Sequence, residues 1–186
     1  MKSLMDNTKN QEKSIKNVIM GMENAGKTTI VDILTKATGD APEYPPDMYP
    51  TKGVERRTLS KKNAAIWDFG GQELYRNEYL ANPESYFHKI TFFYYVIDVQ
   101  DYYRLFASYM YFMAVFQLII KFSPDAKIFF LFHKMDPNFD ANKKNLKQKF
   151  LEHIEPFLEA HNMSFIMYDT TIFNLNSLRT AFSHVL

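Results

Sequence analysis

The chain has 186 residues, which suits one domain with a substantial core, since 46% of them are apolar and 16% aromatic. A formal net charge of +1 leaves no field to draw it toward nucleic acid or an anionic membrane. With no cysteine, disulfides, thiolate metal sites, prenylation and palmitoylation are excluded.

Residues 1–14 read as a flexible polar tail without the apolar core of a signal peptide, and Lys2 stands where a myristoylated glycine would be. The expectation is a cytoplasmic protein with no lipid anchor of its own, any peripheral membrane recruitment passing through partners. "IKNVIMG" predicts a strand over Ile15 to Met20. "KTTIVDILTKAT" follows with Ile30, Ile33, Leu34 and Ala37 on a helical period, and Gly39 as its stop. "GDAPEYPPDMYPTKG" carries four prolines and reads as a long functional loop. "VERRTLSKKNAAIWDF" predicts two strands around a turn at Ser60 to Asn63. "GGQELYRNEYLANPESYFH" is part loop, part helix.

"ITFFYYVID" and "AKIFFLF" are continuous apolar runs that suit central strands covered on both faces. Between them, about Asp101 to Phe122, lies a long apolar helix closed by Ser123-Pro124. Its uncharged run from Leu105 to Ile120 falls short of the roughly 20 residues that span a bilayer, so it reads as a buried helix. Tyr102, Tyr103, Phe106, Tyr109, Tyr111, Phe112, Phe116 and Phe122 go around much of it, more than one buried face needs. "DANKKNLKQKFLEHIEPFLEAH" is helical, "MSFIMYDT" a last strand and "NLNSLRTAFSHVL" a last helix. Strand and helix alternate, which predicts an α/β fold: a doubly wound, mostly parallel sheet of about six strands with helices on both faces, over residues 15–186.

Four motifs carry chemistry. "GMENAGKTT", Gly21 to Thr29, links the first strand to the first helix as Gly-x4-Gly-Lys-Thr, a phosphate-binding loop in its confirming context. Gly21 and Gly26 let the backbone curl so that N–H groups face phosphate oxygens, and the helix N-terminus adds partial positive charge. Glu23, Asn24, Ala25 and Thr29 complete the loop, Lys27 reaches the β- and γ-phosphates, and Thr28 offers a hydroxyl to magnesium. In "WDFGGQE", Asp68 ends a strand where it can hold magnesium through water, Gly71 can offer its N–H to a γ-phosphate, and Gln72 can orient an attacking water. Thr51, after the proline-rich loop, can reach magnesium and γ-phosphate together and so order that loop when GTP is bound. In "FHKMD", Asp136 can accept hydrogen bonds from guanine N1 and N2, a donor pair adenine lacks, and Lys134 can lie across the base. Thr170, Thr171 and Ile172, at the last strand end, can supply backbone contacts to guanine O6.

In this order the motifs resemble the Ras superfamily of small GTPases over roughly residues 15–186. "GMENAGKT" and "WDFGGQE" are similar to the Arf branch, where an acidic residue such as Glu23 is tolerated in the loop. "HKMD", with His133 in place of the usual asparagine, "SPDAKIF", the long stretch after Gln72 and "TTI" look like the Rag/Gtr branch. The resemblance implies GTP/GDP and Mg2+ as ligands, slow hydrolysis with Gln72 as its catalytic residue, and regulatory proteins as partners: an activating protein, an exchange factor and an effector. Rag proteins carry a roadblock domain beyond the GTPase domain. The sequence ends at Leu186, and two expectations stand side by side: a piece trimmed from a longer protein, or a roadblock-type partner on a separate chain or a GTPase dimer. Arg56 and Arg57 read as a solvated strand face rather than a cis arginine for catalysis. A nucleotide-bound assembly scaffold with negligible hydrolysis is the alternative, favoured by Glu23 and Asn24 beside the γ-phosphate and opposed by Gln72.

Overall fold

A computed structural model of the chain describes residues 15–35, 49–59, 64–139 and 145–186. The expectations for the tail, Gly39, most of the proline-rich loop and the turn at 60–63 lie outside the described residues. β1 (Ile15–Gly21) leads into α1 (Lys27–Thr35), then β2 (Val54–Leu59) and β3 (Ala64–Phe69). Two short helices follow, α2 (Glu73–Ala81) and α3 (Pro83–Phe87), separated at Asn82 with Pro83 opening the second. The chain continues as β4 (Phe92–Asp98), α4 (Leu105–Phe122), β5 (Lys127–His133), α5 (Asn145–Ala160), β6 (Phe165–Thr170) and α6 (Leu175–Ala181).

The sheet has six strands in the order β2-β3-β1-β4-β5-β6, and β2 alone is antiparallel to its neighbour. The central strands bury both faces by simple alternation. Val18 and Met20 of β1, Phe93, Tyr95 and Ile97 of β4, and Phe130 and Phe132 of β5 point into one core. Ile19, Tyr94, Val96, Phe129 and Leu131 point into the other. The first core is closed by α4 through Phe112, Val115, Phe116 and Ile119, and by α5 through Phe150, Ile154 and Leu158. The second is closed by α1 through Ile30, Val31 and Leu34, and by Leu178, Phe182 and Val185 at the C-terminal end. Each large apolar side chain taken out of water here contributes roughly 1.5–3 kcal/mol.

Two boundaries differ from the sequence reading. α4 begins at Leu105, not Asp101, because Asp101 is used in the turn before it, accepting the Arg104 N–H at 3.1 Å. α6 stops at Ala181, and the chain turns so that Val185 reaches the core. The aromatic residues expected on this helix divide: Tyr111, Phe112 and Phe116 are buried, Phe106 in its first turn is 67% exposed, and Tyr102 at 58% and Tyr103 at 95% are exposed in the turn before it.

Strand order reverses between β1, whose next strand by connection lies on one side, and β4 on the other. In open α/β sheets the crevice beyond the carboxyl ends of the strands at such a point is where ligands bind. The ends of β1, β3, β4, β5 and β6 therefore bring Gly21, Asp68, Asp98, His133 and Thr170 to one edge.

Candidate functional site

The loop after β1 is shaped by two residues with positive φ, Asn24 at 58° and Gly26 at 91°. Asparagine is among the few residues with a side chain that enter this region readily. Gly26 has a second reason to be glycine, since a Cβ there would lie 2.6 Å from His133 Cδ2. Glu23 and Asn24 are exposed at the loop's tip, Ala25 is buried, and Thr28 and Thr29 are half-buried in the first turn of α1. The first N–H groups of a helix have no partner within it and face outward along the axis, so this end of α1 presents donors to an anion.

Lys27 is buried, and its Nζ donates to the carbonyls of Gly21 at 3.1 Å and Met22 at 2.7 Å. Burial pushes its pKa down from 10.5 to about 8, against the pull of the Asp68 carboxylate. A buried ammonium whose hydrogen bonds go to neutral carbonyls is a strong attractor for phosphate oxygens. Gly71 lies directly against it: a Cβ on Gly71 would sit 2.6 Å from Lys27 Nζ.

Three oxygens from distant segments converge beside Lys27. Thr28 Oγ1 lies 2.6 Å from Thr51 Oγ1 and donates to Asp68 Oδ2 at 2.6 Å, and Thr51 Oγ1 donates to the same oxygen at 3.1 Å. Asp68 Oδ1 is buried without a hydrogen-bond partner, and burial raises the carboxyl's pKa. Two hydroxyls and a carboxylate form an all-oxygen donor set of the kind magnesium takes, with the rest of its shell left for phosphate and water. The orphaned carboxylate oxygen fits the same ion.

Gln72 stands just before α2, half-buried, and its side chain makes no capping bond to that helix. It lines a cleft of about 450 Å³ together with Lys27, Thr28, Thr51, Gly71 and Arg104. The Gly53 carbonyl, two residues past Thr51, accepts from the Gly70 N–H at 2.9 Å and the Tyr79 hydroxyl at 2.7 Å, so the loop before β2 is tied to the one after β3.

On the other flank of the loop, His133 Nδ1 bonds Thr170 Oγ1 at 2.9 Å while the ring carbon packs against Gly26. The ring therefore spans from the phosphate loop to the end of β6. Burial, with the Lys134 ammonium, drops its pKa to about 4 and keeps it neutral. Asp136 holds its two oxygens in fixed directions: Oδ1 accepts from Thr171 Oγ1 at 2.7 Å and Oδ2 from Gln100 Nε2 at 2.8 Å. Lys134, at φ 65°, pairs with Asp98 at 2.7 Å. Thr170 and Thr171 are buried and Ile172 half-buried. The predicted phosphate, metal and base residues thus lie on one edge of the sheet, in two adjoining parts.

Three residues escape the sequence reading. Asp98, Gln100 and Arg104 all come from "DVQDYYR", read there only as a strand end and a helix start. Their signal was positional, since a strand at the point where the order reverses delivers its following loop to the crevice. Arg56 stacks over Trp67 at 3.8 Å, and Arg57 pairs with Asp32 and Glu55, so both are engaged on the sheet edge and neither lines the cleft.

A family model for the Gtr1/RagA G protein conserved region matches residues 16–186. ADP-ribosylation factor-like protein 8d of Arabidopsis thaliana is 38% identical over 93 residues, 49% of this chain and 48% of that protein. GTP-binding protein GTR1 of Saccharomyces cerevisiae is 32% identical over 81 residues, 43% of this chain and 26% of that protein. The chain thus spans about half the length of the Arf-like relatives it matches, and less of GTR1. Among solved structures, the Arl6 BBS3 small GTPase from Trypanosoma brucei, with bound nucleotide analogue GppNp, is similar with a TM-score of 0.65. That likeness covers 92% of this chain and 94% of that one at 20% identity, and is one of fold.

Proposed function

The chain belongs to the Gtr1/RagA G protein family, and on that premise we propose that it is a guanine-nucleotide switch that binds GTP with magnesium, hydrolyses it slowly and signals its state to partner proteins. The observation that carries this reading is the convergence of Thr28, Thr51 and Asp68 on one point beside a buried lysine. The three come from the phosphate loop's helix, a loop before β2 and the end of β3. A ligand held there bridges all three segments, adding to the contacts that Thr51 and Gly53 already make with Asp68 and Gly70.

In this reading Lys27 and the N–H groups at the start of α1 hold the phosphates. Magnesium, held by Thr28, Thr51 and Asp68, would supply positive charge against the β- and γ-phosphate oxygens. Gly71 turns its N–H to the γ-phosphate, and Gln72, uncommitted to its helix, orients water for in-line attack. Loss of the γ-phosphate removes what Thr51 and Gly71 share and releases both segments. Arg104 is held by Glu23 and Asp101, so unassisted turnover is on the order of 10⁻⁴ to 10⁻³ per second, and an activating protein that brings an arginine raises it. An exchange factor, an effector and a roadblock-type or GTPase partner complete the cycle, in the cytoplasm or on membranes reached through them.

Base selection rests on Asp136, whose carboxylate accepts from guanine N1 and N2. Competition against a fluorescent GDP, with magnesium, tests this. The wild type should prefer GTP over ATP on the order of 10³-fold or more. Asp136→Asn should lose guanine nucleotides and gain xanthosine triphosphate, which presents a carbonyl where guanine presents an amine. Equal affinity for ATP and GTP would remove the guanine assignment.

A further inference from the structure

Glu23 places a carboxylate in the loop that cradles the phosphates, 53% exposed and at the tip that faces the cleft. It is not left to itself. Arg104 Nη1 donates to Glu23 Oε1 at 3.3 Å and to the Glu23 backbone carbonyl at 3.2 Å. From the other side Asp101 anchors the arginine, its carboxylate pairing with Nε and accepting the Arg104 N–H at 3.1 Å. Side chain and backbone of one residue, and the carboxylate of a second, thus fix a single guanidinium at the edge of the cleft.

Such a pair, with 33% and 53% of its side chains exposed, adds little to the stability of the fold. Its consequence is electrostatic and local. GTP brings more negative charge to this side of the cleft than GDP does. An unpaired carboxylate at Glu23 would therefore repel GTP more than GDP, while one paired with Arg104 has much of its charge offset and repels it less. Resting on the GTP reading of the cleft, we propose that Arg104 sets the preference for triphosphate over diphosphate by offsetting the charge of Glu23 and holding its carboxylate out of the γ-phosphate's place. Arg104 is then a positioning residue, acting through Glu23, with Asp101 as its anchor.

The test is a double-mutant cycle on the full chain, measuring Kd for GDP and for the non-hydrolysable analogue GppNHp with magnesium. Arg104→Ala should lower the ratio of GppNHp to GDP affinity about tenfold, the size of a lost charge pair at a half-exposed site. Arg104→Lys, which keeps the charge, should recover at least half of that loss. In the Glu23→Ala background the Arg104→Ala change should move the ratio by less than about twofold. Equal thermal midpoints across the set exclude unfolding as the cause. A full loss that persists without Glu23 means that Arg104 touches the phosphate itself and overturns the proposal, as does an unchanged ratio in Arg104→Ala. Failure of the wild type to bind either nucleotide is a different result, which overturns the GTP reading as well.

Discussion

His133 ties two parts of the site together with one side chain. Its Nδ1 is used on Thr170, its edge lies on Gly26, and burial holds its pKa near 4 where an unfolded histidine titrates near 6.5. Below pH 6.5 the unfolded chain takes up a proton that the native ring refuses, so stability falls as pH falls from about 6.5 toward 4. Full expression of that difference is worth on the order of 3 kcal/mol, and His133→Asn should remove it. Urea unfolding at pH 7 and at pH 5 reads this directly: the wild type should lose more stability between the two than the variant. Identical losses would mean that the ring is already free to charge. The residue types of the site were readable in the sequence because each motif restricts its chemistry to one or two side chains. The histidine's task was not, since "HKMD" gives no hint that its first residue lies beneath a glycine 107 positions earlier. That contact exists only once β1 and β5 flank β4.

At the scale of elements, the loop before β2 and helix α2 are tied through one acceptor, and they are expected to open together. Gly53's carbonyl takes the Gly70 N–H and the Tyr79 hydroxyl, and Tyr79 packs edge-on against Phe69 at 4.8 Å and Tyr86 at 5.1 Å. Tyr79→Phe keeps the rings and removes the bond. It should cost about 1 kcal/mol and, in hydrogen exchange, loosen the amides around residue 53 and those of α2 together. Loosening of α2 alone would show that the two segments are independent. The strands were legible because apolar alternation and β-branched or aromatic content have few other uses. The start of α4 was not, because Asp101 and Asp98 use their carboxylates on turn amides, a local competition that periodicity does not register. The same turn hid Gln100 and Arg104, whose spacing resembles nothing in particular until the strand order is known.

Over the whole molecule, six strands bring five strand ends to one edge, and the order of motifs along the chain becomes an arrangement in space. The residues expected at phosphate, metal and base were read from four motifs along the sequence, and the fold brings them to adjoining positions. What no motif could supply was the electrostatic balance of the cleft, where Glu23, Arg104, Asp101 and the buried Lys27 are set against one another. As proposed, the molecule is a switch whose chemistry turns on Gln72. The most direct measurement is single-turnover hydrolysis of preloaded GTP with magnesium, comparing wild type and Gln72→Leu. The wild-type rate should be slow and should fall at least tenfold in the variant, the loss expected of a residue that positions water. Equal rates in both proteins, or tightly held GTP that neither turns over, would contradict it and leave the nucleotide as a structural ligand of an assembly scaffold.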